Sequence, residues 1–118
     1  MRGTGAGTFM YTWQQERPGF DSTKQVHNVY LQQGTETGVF AFLALVGFAL
    51  LLVVYLVRGT LRANRQWRIL LSGLTAAVII YLLYSAFEWH WHIPPSTIFF
   101  FVLAGVAAKF ASGAEQDI

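Results

Sequence analysis

The chain has 118 residues, of which 54% are hydrophobic and 16% aromatic, with eight Lys or Arg against six Asp or Glu. It is too apolar for a disordered chain, and its charges flank long neutral segments, which excludes an ordinary small soluble domain. The absence of cysteine excludes disulfides, thiolate metal sites and thiol catalysis.

Residues 1–37 are predicted to form an extracytoplasmic segment that leads into a helix. The segment is rich in Gly, Thr and Gln, and Pro18-Gly19 is a turn signal. Its early glycines, in GTGAGTF, predict a tight turn and not a phosphate-binding loop, because no Lys-Ser/Thr pair follows them. No basic and apolar leader precedes the segment. We therefore expect the chain to be the end of a longer protein.

A polar cluster lies directly before the first apolar segment and contains His27, Asn28, Tyr30, Gln32 and Glu36. A lone histidine beside a membrane is most often an interfacial hydrogen-bonding residue. The functional alternative is that His27 accepts a proton, because imidazole titrates near neutral pH without help from its surroundings. Spacing alone favours the structural interpretation.

Three apolar segments are predicted to be transmembrane helices, at residues 38–57, 69–87 and 94–110. A helix of about 20 residues rises ~30 Å, which matches the hydrocarbon core of a bilayer. The third segment is strongly apolar only over residues 98–108, and it reaches spanning length if its helix starts at Pro94. We therefore predict an all-α, polytopic membrane protein with an outer segment, 1–37, and a transmembrane region, 38–118.

The loop predicted at residues 58–68 determines the orientation. It contains four arginines and no acidic residue, at Arg58, Arg62, Arg65 and Arg68. The positive-inside rule places such a loop in the cytoplasm, together with the C-terminus, and places residues 1–37 and the segment around 88–95 outside. We interpret the arginines as a topology anchor that also contacts anionic lipid, and not as a nucleic-acid site.

Residues 88–95, EWHWHIPP, form a second polar cluster on the outer side. In an extended segment Glu88, His90 and His92 would face one way, which suggests a zinc or iron site. We favour an interfacial aromatic belt instead, with Trp89 and Trp91 at headgroup depth, because three ligands from so short a segment are cramped. The sequence predicts neither a metal nor another cofactor.

Four motifs follow one another in a recognisable order: GTGAGTF at residues 3–9, His27-Asn28-x-Tyr30-Leu31-Gln32, Glu36-x-Gly38, and His92-Ile93-Pro94. Their order and spacing resemble the C-terminal part of the O-antigen ligase and polymerase family. Members of that family are bacterial inner-membrane proteins that transfer glycans from an undecaprenyl-diphosphate carrier at the periplasmic face. The resemblance covers almost the whole chain.

The resemblance implies roles for individual residues. His27 matches the family histidine that helps to activate the acceptor hydroxyl, and Asn28, Tyr30 and Gln32 are assigned to substrate binding. Arg17, an outer-side cation that matches no arginine of the family pattern, is assigned to substrate binding as well. Where the family tends to have Asp-Phe-x-x-His-Ile-Pro, this chain has Glu88 and Trp89 in the first two positions. We therefore expect a structural role for that segment.

The expected partners are the carrier-linked glycan, its glycan or lipid acceptor, membrane lipid and the remaining helices of the parent protein, without nucleic acid. Three helices are too few to enclose a carrier lipid and an acceptor, so we expect the chain alone to be inactive. The alternative is a small non-enzymatic membrane subunit that packs with partner helices.

Overall fold

The computed structural model describes residues 3–16, 19, 28–88 and 90–116, with the backbone alone at residues 90 and 114–116. Within these residues the chain forms α1 (Phe9–Glu16), α2 (Val29–Thr37), α3 (Val39–Arg62), α4 (Arg65–Tyr84) and α5 (Pro94–Gln116), and a 3₁₀ turn at His90–His92. The described chain is thus all-helical, as predicted.

Three of the helices, α3, α4 and α5, are long and apolar enough to cross a membrane. Each packs against the other two, which makes a three-helix bundle. We call the end of the bundle where α3 begins the cap end, because α2, the loop before α1 and the 3₁₀ turn lie there. The opposite end, with the turn between α3 and α4, is called the arginine end.

The prediction that residues 58–68 form a loop is wrong. Helix α3 continues to Arg62 and α4 already begins at Arg65, so that Ala63 and Asn64 alone connect them. Arginine is a good helix former, and a helix can continue past the apolar segment that spans the membrane. The four arginines therefore lie on helix ends and not in a loop.

Side chains at the arginine end satisfy the helix termini. The Asn64 side chain accepts a hydrogen bond from the backbone N–H of Trp67 at 3.2 Å and caps the start of α4. The Arg68 guanidinium donates to the backbone carbonyl of Ala63 at 2.9 Å. A cation at this position also stabilises the negative end of the α3 dipole. Arg68 thus has a structural role besides its charge.

The other predicted spans differ less from the structure. Helix α4 ends at Tyr84, three residues before the predicted limit at residue 87, and a hydrogen-bonded turn follows it. Helix α5 begins at Pro94 as predicted and continues to Gln116. It extends beyond residue 110 because Lys109 and the small residues after it are compatible with a helix.

Small residues set the distance between the helices near the arginine end. A Cβ atom on Gly59 would lie 2.5 Å from Cβ of Ala111, so α3 and α5 touch through backbone and methyl groups. Beside them, the hydroxyls of Thr60 and Thr75 lie 3.0 Å apart and join α3 to α4. Buried core side chains on the three helices are Leu56, Leu71, Val78, Leu82, Phe100, Ala104, Ala107 and Ala111.

Trp91 packs in an aromatic cluster near the cap end. Its ring centroid lies 6.3 Å from those of Tyr81 and Phe100 and 6.1 Å from that of Phe101. Its carbonyl accepts a hydrogen bond from Thr97 at 2.7 Å. Trp91 therefore attaches the 3₁₀ turn to α4 and α5, and its headgroup depth stays a prediction. Trp89 lies outside the described residues.

Candidate functional site

The start of α2 is fixed by two hydrogen bonds. The Asn28 side chain accepts from the backbone N–H of Leu31 at 3.0 Å and is the N-cap of the helix. The N–H of Val29 donates to the carbonyl of Ser85, just past the end of α4, at 3.0 Å. The backbone next to His27 is thereby attached to the cap end of the bundle.

Tyr30 strengthens this attachment. Its hydroxyl donates to the backbone carbonyl of Leu82 at 2.9 Å, near the end of α4, where helix carbonyls lack partners within the helix. Burial raises the pKa of the Tyr30 hydroxyl, so the group stays protonated and remains a donor.

The most buried charged side chain of the described residues is Glu36, which is 5% exposed. Its Oε2 accepts from the backbone N–H of Gly7 at 2.9 Å, and its Oε1 accepts from the Gln32 amide at 3.2 Å and from the N–H of Phe9 at 3.4 Å. A buried carboxylate is tolerated when it has such partners. Glu36 thus binds the start of α1 to α2, with its charge at the positive end of the α1 dipole.

Residues 3–8, which we call the glycine-rich loop, precede α1 and wrap around the end of α2. The backbone N–H groups of Thr4 and Gly5 donate to the carbonyls of Thr35 and Glu36 at 2.9 and 2.8 Å. A Cβ atom on Gly3 would overlap with the Glu36 carbonyl oxygen, so no larger residue fits there. The loop also turns through positive φ angles at its other glycines, which supports the predicted tight turn.

His92 extends the polar network to the start of α5. Its Nε2 lies 2.9 Å from Oε1 of Gln32. Because the Gln32 amide nitrogen donates to Glu36, its oxygen faces His92, and the imidazole is the donor. A continuous chain of hydrogen bonds thus connects His92, Gln32, Glu36 and the glycine-rich loop. The extended arrangement considered for a metal site is absent, since residues 90–92 form a 3₁₀ turn.

An apolar groove of about 550 Å³ lies between α3 and α4 and runs from the start of α2, at the cap end, toward the arginine end. Its α3 wall runs from Phe42 to Val53, which is about 16 Å along the helix axis, roughly half the thickness of a bilayer core. Its lining residues are Asn28, Tyr30, Leu31, Phe42, Val46, Ala49, Leu50, Val53, Ile79, Leu82, Leu83 and Ala86. The polar side chains among them, Asn28 and Tyr30, lie at the cap end.

The predicted substrate-binding residues have different surroundings. Asn28 and Tyr30 line the groove, and each also makes a hydrogen bond within the protein. Gln32 is buried at 6% exposure, and both ends of its amide are hydrogen-bonded to protein groups. Their contact with substrate stays a prediction. His27 and Arg17 lie outside the described residues.

Sequence reasoning missed the central role of Glu36 and the link from Gln32 to His92. The available signal was a carboxylate next to a long apolar segment, where an ionised group needs partners. Among the described residues, no three His, Cys, Asp or Glu lie together as a metal site would require. Comparison with known proteins gives no matching family model, no matching curated protein and no matching solved structure.

Proposed function

We propose that the chain is the C-terminal part of a membrane glycosyltransferase of the O-antigen ligase type. It would help to transfer a glycan from an undecaprenyl-diphosphate carrier to an acceptor at the periplasmic face of the bacterial inner membrane. The observation that carries this proposal is the apolar groove, which begins beside polar side chains at the cap end and continues between two membrane-spanning helices.

The shape and polarity of the groove suit a lipid-linked substrate. Its apolar walls on α3 and α4 match an isoprenoid chain, and burial of such a chain is favourable in proportion to the apolar area covered. Asn28 and Tyr30 at its cap end would lie near the polar headgroup. In this proposal the diphosphate and sugar lie at the cap end, where the described chain resumes at Asn28, the residue that follows His27 in sequence.

The chemistry assigned to His27 is general base catalysis. The imidazole accepts the proton of an acceptor hydroxyl while the hydroxyl oxygen attacks the anomeric carbon of the donor sugar. The bond between that carbon and the diphosphate oxygen breaks, and the diphosphate leaves with the electron pair. Cations stabilise this leaving group. In this proposal Arg17 supplies one cation and the remaining helices of the parent protein supply others.

The proposal requires the cap end to face the periplasm. The four arginines at or near the arginine end support this orientation through the positive-inside rule. We expect a cysteine at Thr37, exposed at the cap end, to react with an impermeant thiol reagent in intact cells. A cysteine at Gln66, exposed at the arginine end, should react only after the cells are opened. The reverse labelling pattern would contradict the proposal.

Filling the groove should inhibit transfer in the parent protein. Ala49 lines the groove, and Ala49→Trp places a large ring where the lipid chain would lie. We expect about tenfold slower transfer, which corresponds to ~1.4 kcal/mol. The matched control is Leu51→Trp, because Leu51 is 72% exposed on the outer side of the same helix. Equal transfer by both variants at equal membrane levels would show that the groove does not hold the carrier.

A further inference from the structure

A second, smaller cavity lies on the outer surface of the cap end, apart from the apolar groove. It has a volume of about 150 Å³ and is formed by α1, the glycine-rich loop and the end of α2. The lining residues are Thr4, Phe9, Thr12, Trp13, Glu16 and Thr35. A cavity of this volume holds several water molecules, so it has room for part of a ligand larger than water.

One wall of this cavity is aromatic. Phe9 and Trp13 lie one turn apart on α1, with ring centroids 6.1 Å apart and planes inclined by 18°. Trp13 remains 37% exposed. A flat, rigid indole that stays in contact with water offers a surface on which the C–H face of a sugar ring can stack.

The polar rim of the cavity consists of hydrogen-bond acceptors. The hydroxyl of Thr4 donates to the Thr35 carbonyl at 3.2 Å, and that of Thr12 donates to the Thr8 carbonyl at 3.4 Å. The hydroxyl of Thr35 likewise donates to a carbonyl of its own helix at 2.9 Å. The Thr4 hydroxyl also accepts from the Thr8 hydroxyl at 2.9 Å and keeps one lone pair for a ligand, whereas the hydroxyls of Thr12 and Thr35 keep two each. The Glu16 carboxylate adds two acceptor oxygens. Such a rim suits a ligand rich in hydroxyl donors and repels a phosphate.

The cavity is also held in place before any ligand binds. The hydrogen bonds from the N–H groups of Gly7 and Phe9 to Glu36 fix the start of α1, and with it the position of the aromatic wall. A site that is already ordered loses less conformational entropy on binding.

We infer that this cavity is a saccharide-binding subsite, in which Trp13 stacks on one uncharged pyranose ring and Glu16 accepts hydrogen bonds from its hydroxyls. That this ring belongs to a glycan handled by the transferase rests on the proposed function. Recognition of the ring itself depends only on the geometry of α1 and the loop.

The test is ligand-detected saturation-transfer NMR on the full chain in lipid nanodiscs, with maltotriose and chitotriose as probes. Sorbitol, an acyclic polyol with similar hydroxyls but no ring face, is the control ligand. We expect saturation transfer to the ring protons of a trisaccharide and none to sorbitol. Absence of transfer to both trisaccharides, or equal transfer to sorbitol, would overturn the inference.

The matched variants are Trp13→Ala and Trp67→Ala. Trp67 is also 37% exposed and also packs on one phenylalanine, Phe110, at 5.4 Å, but it lies at the arginine end. We expect Trp13→Ala to weaken trisaccharide binding about tenfold, and Glu16→Gln about fivefold, whereas Trp67→Ala leaves it unchanged. Equal affinities for the two tryptophan variants would exclude this site.

Trp13→Phe keeps an aromatic ring on α1 and should give an intermediate affinity, which separates stacking from a folding defect in the alanine variant. The binding assay involves no glycan transfer. Failure of the proposed function, seen as unchanged transfer in His27 variants of the parent protein, therefore leaves this result intact, and loss of saccharide binding leaves the transfer chemistry intact.

In the parent protein, Trp13→Ala identifies which glycan supplies the bound pyranose ring. If the ring belongs to the acceptor glycan, Trp13→Ala raises the KM for acceptor, and if it belongs to the carrier-linked glycan, it raises the KM for donor. An unchanged KM for both would contradict a role of the subsite in transfer.

Discussion

His27→Ala in the parent protein, proposed above to be a transferase, is expected to lower glycan transfer by about 10²- to 10⁴-fold, the usual contribution of a general base. The alanine cannot accept the proton of the acceptor hydroxyl, which therefore remains a poor nucleophile. Position 27 directly precedes Asn28 and Val29 in sequence, but the change leaves their hydrogen bonds to Leu31 and Ser85 available, so membrane levels should stay normal. The measurement is transfer of labelled glycan in membrane vesicles.

His27→Gln separates base catalysis from hydrogen bonding, because glutamine can hydrogen-bond but cannot accept a proton near neutral pH. We expect it to be as inactive as the alanine variant. Wild-type transfer by His27→Gln would make His27 an interfacial hydrogen-bonding residue, which is the interpretation that spacing alone favours.

Glu36→Ala is expected to release the glycine-rich loop and α1 from the bundle. The substitution removes the acceptor of the Gly7 and Phe9 N–H groups and leaves the buried Gln32 amide without its carboxylate. Loss of charge-assisted hydrogen bonds of this kind costs about 3 kcal/mol, or roughly 100-fold in a local opening equilibrium. Amide hydrogen exchange in nanodiscs should therefore accelerate by about that factor over residues 3–16.

The control for this prediction is Glu16→Ala, which removes an exposed carboxylate from α1 and should leave exchange in the loop nearly unchanged. Gly3→Val should also accelerate exchange over residues 3–16, because the valine side chain would collide with the Glu36 carbonyl. Unaltered exchange over residues 3–16 in both Glu36→Ala and Gly3→Val would mean that these contacts do not hold the loop.

The membrane-spanning helices could be predicted from the sequence because long uncharged segments have few other stable conformations. The turn between α3 and α4 could not be placed in the same way. Arginines end a hydropathy segment, but they do not end a helix, so α3 continues to Arg62 beyond the predicted limit at residue 57. The position of the turn is set by Asn64, whose side chain caps the start of α4.

The site was only partly predictable. Asparagine is a residue type that often caps helix N-termini, so the start of α2 after Asn28 can be predicted from the sequence. The partners of Glu36 include backbone N–H groups, which every non-proline residue has, so no side-chain pattern indicates them. The contact between Gln32 and His92 joins residues 60 positions apart and depends on how the helices pack. The aromatic wall of α1 is visible only once the loop is folded onto α2.

The close contact of Gly59 with Ala111 has a consequence for motion. Together with the pair of Thr60 and Thr75, it fixes the separation of the three long helices near the arginine end. Thermal fluctuations that widen the space between α3 and α4 must then pivot there, so their amplitude grows toward the opposite end. In the proposed orientation, a lipid tail would therefore enter the space between α3 and α4 laterally at the cap end, where the helices separate most easily.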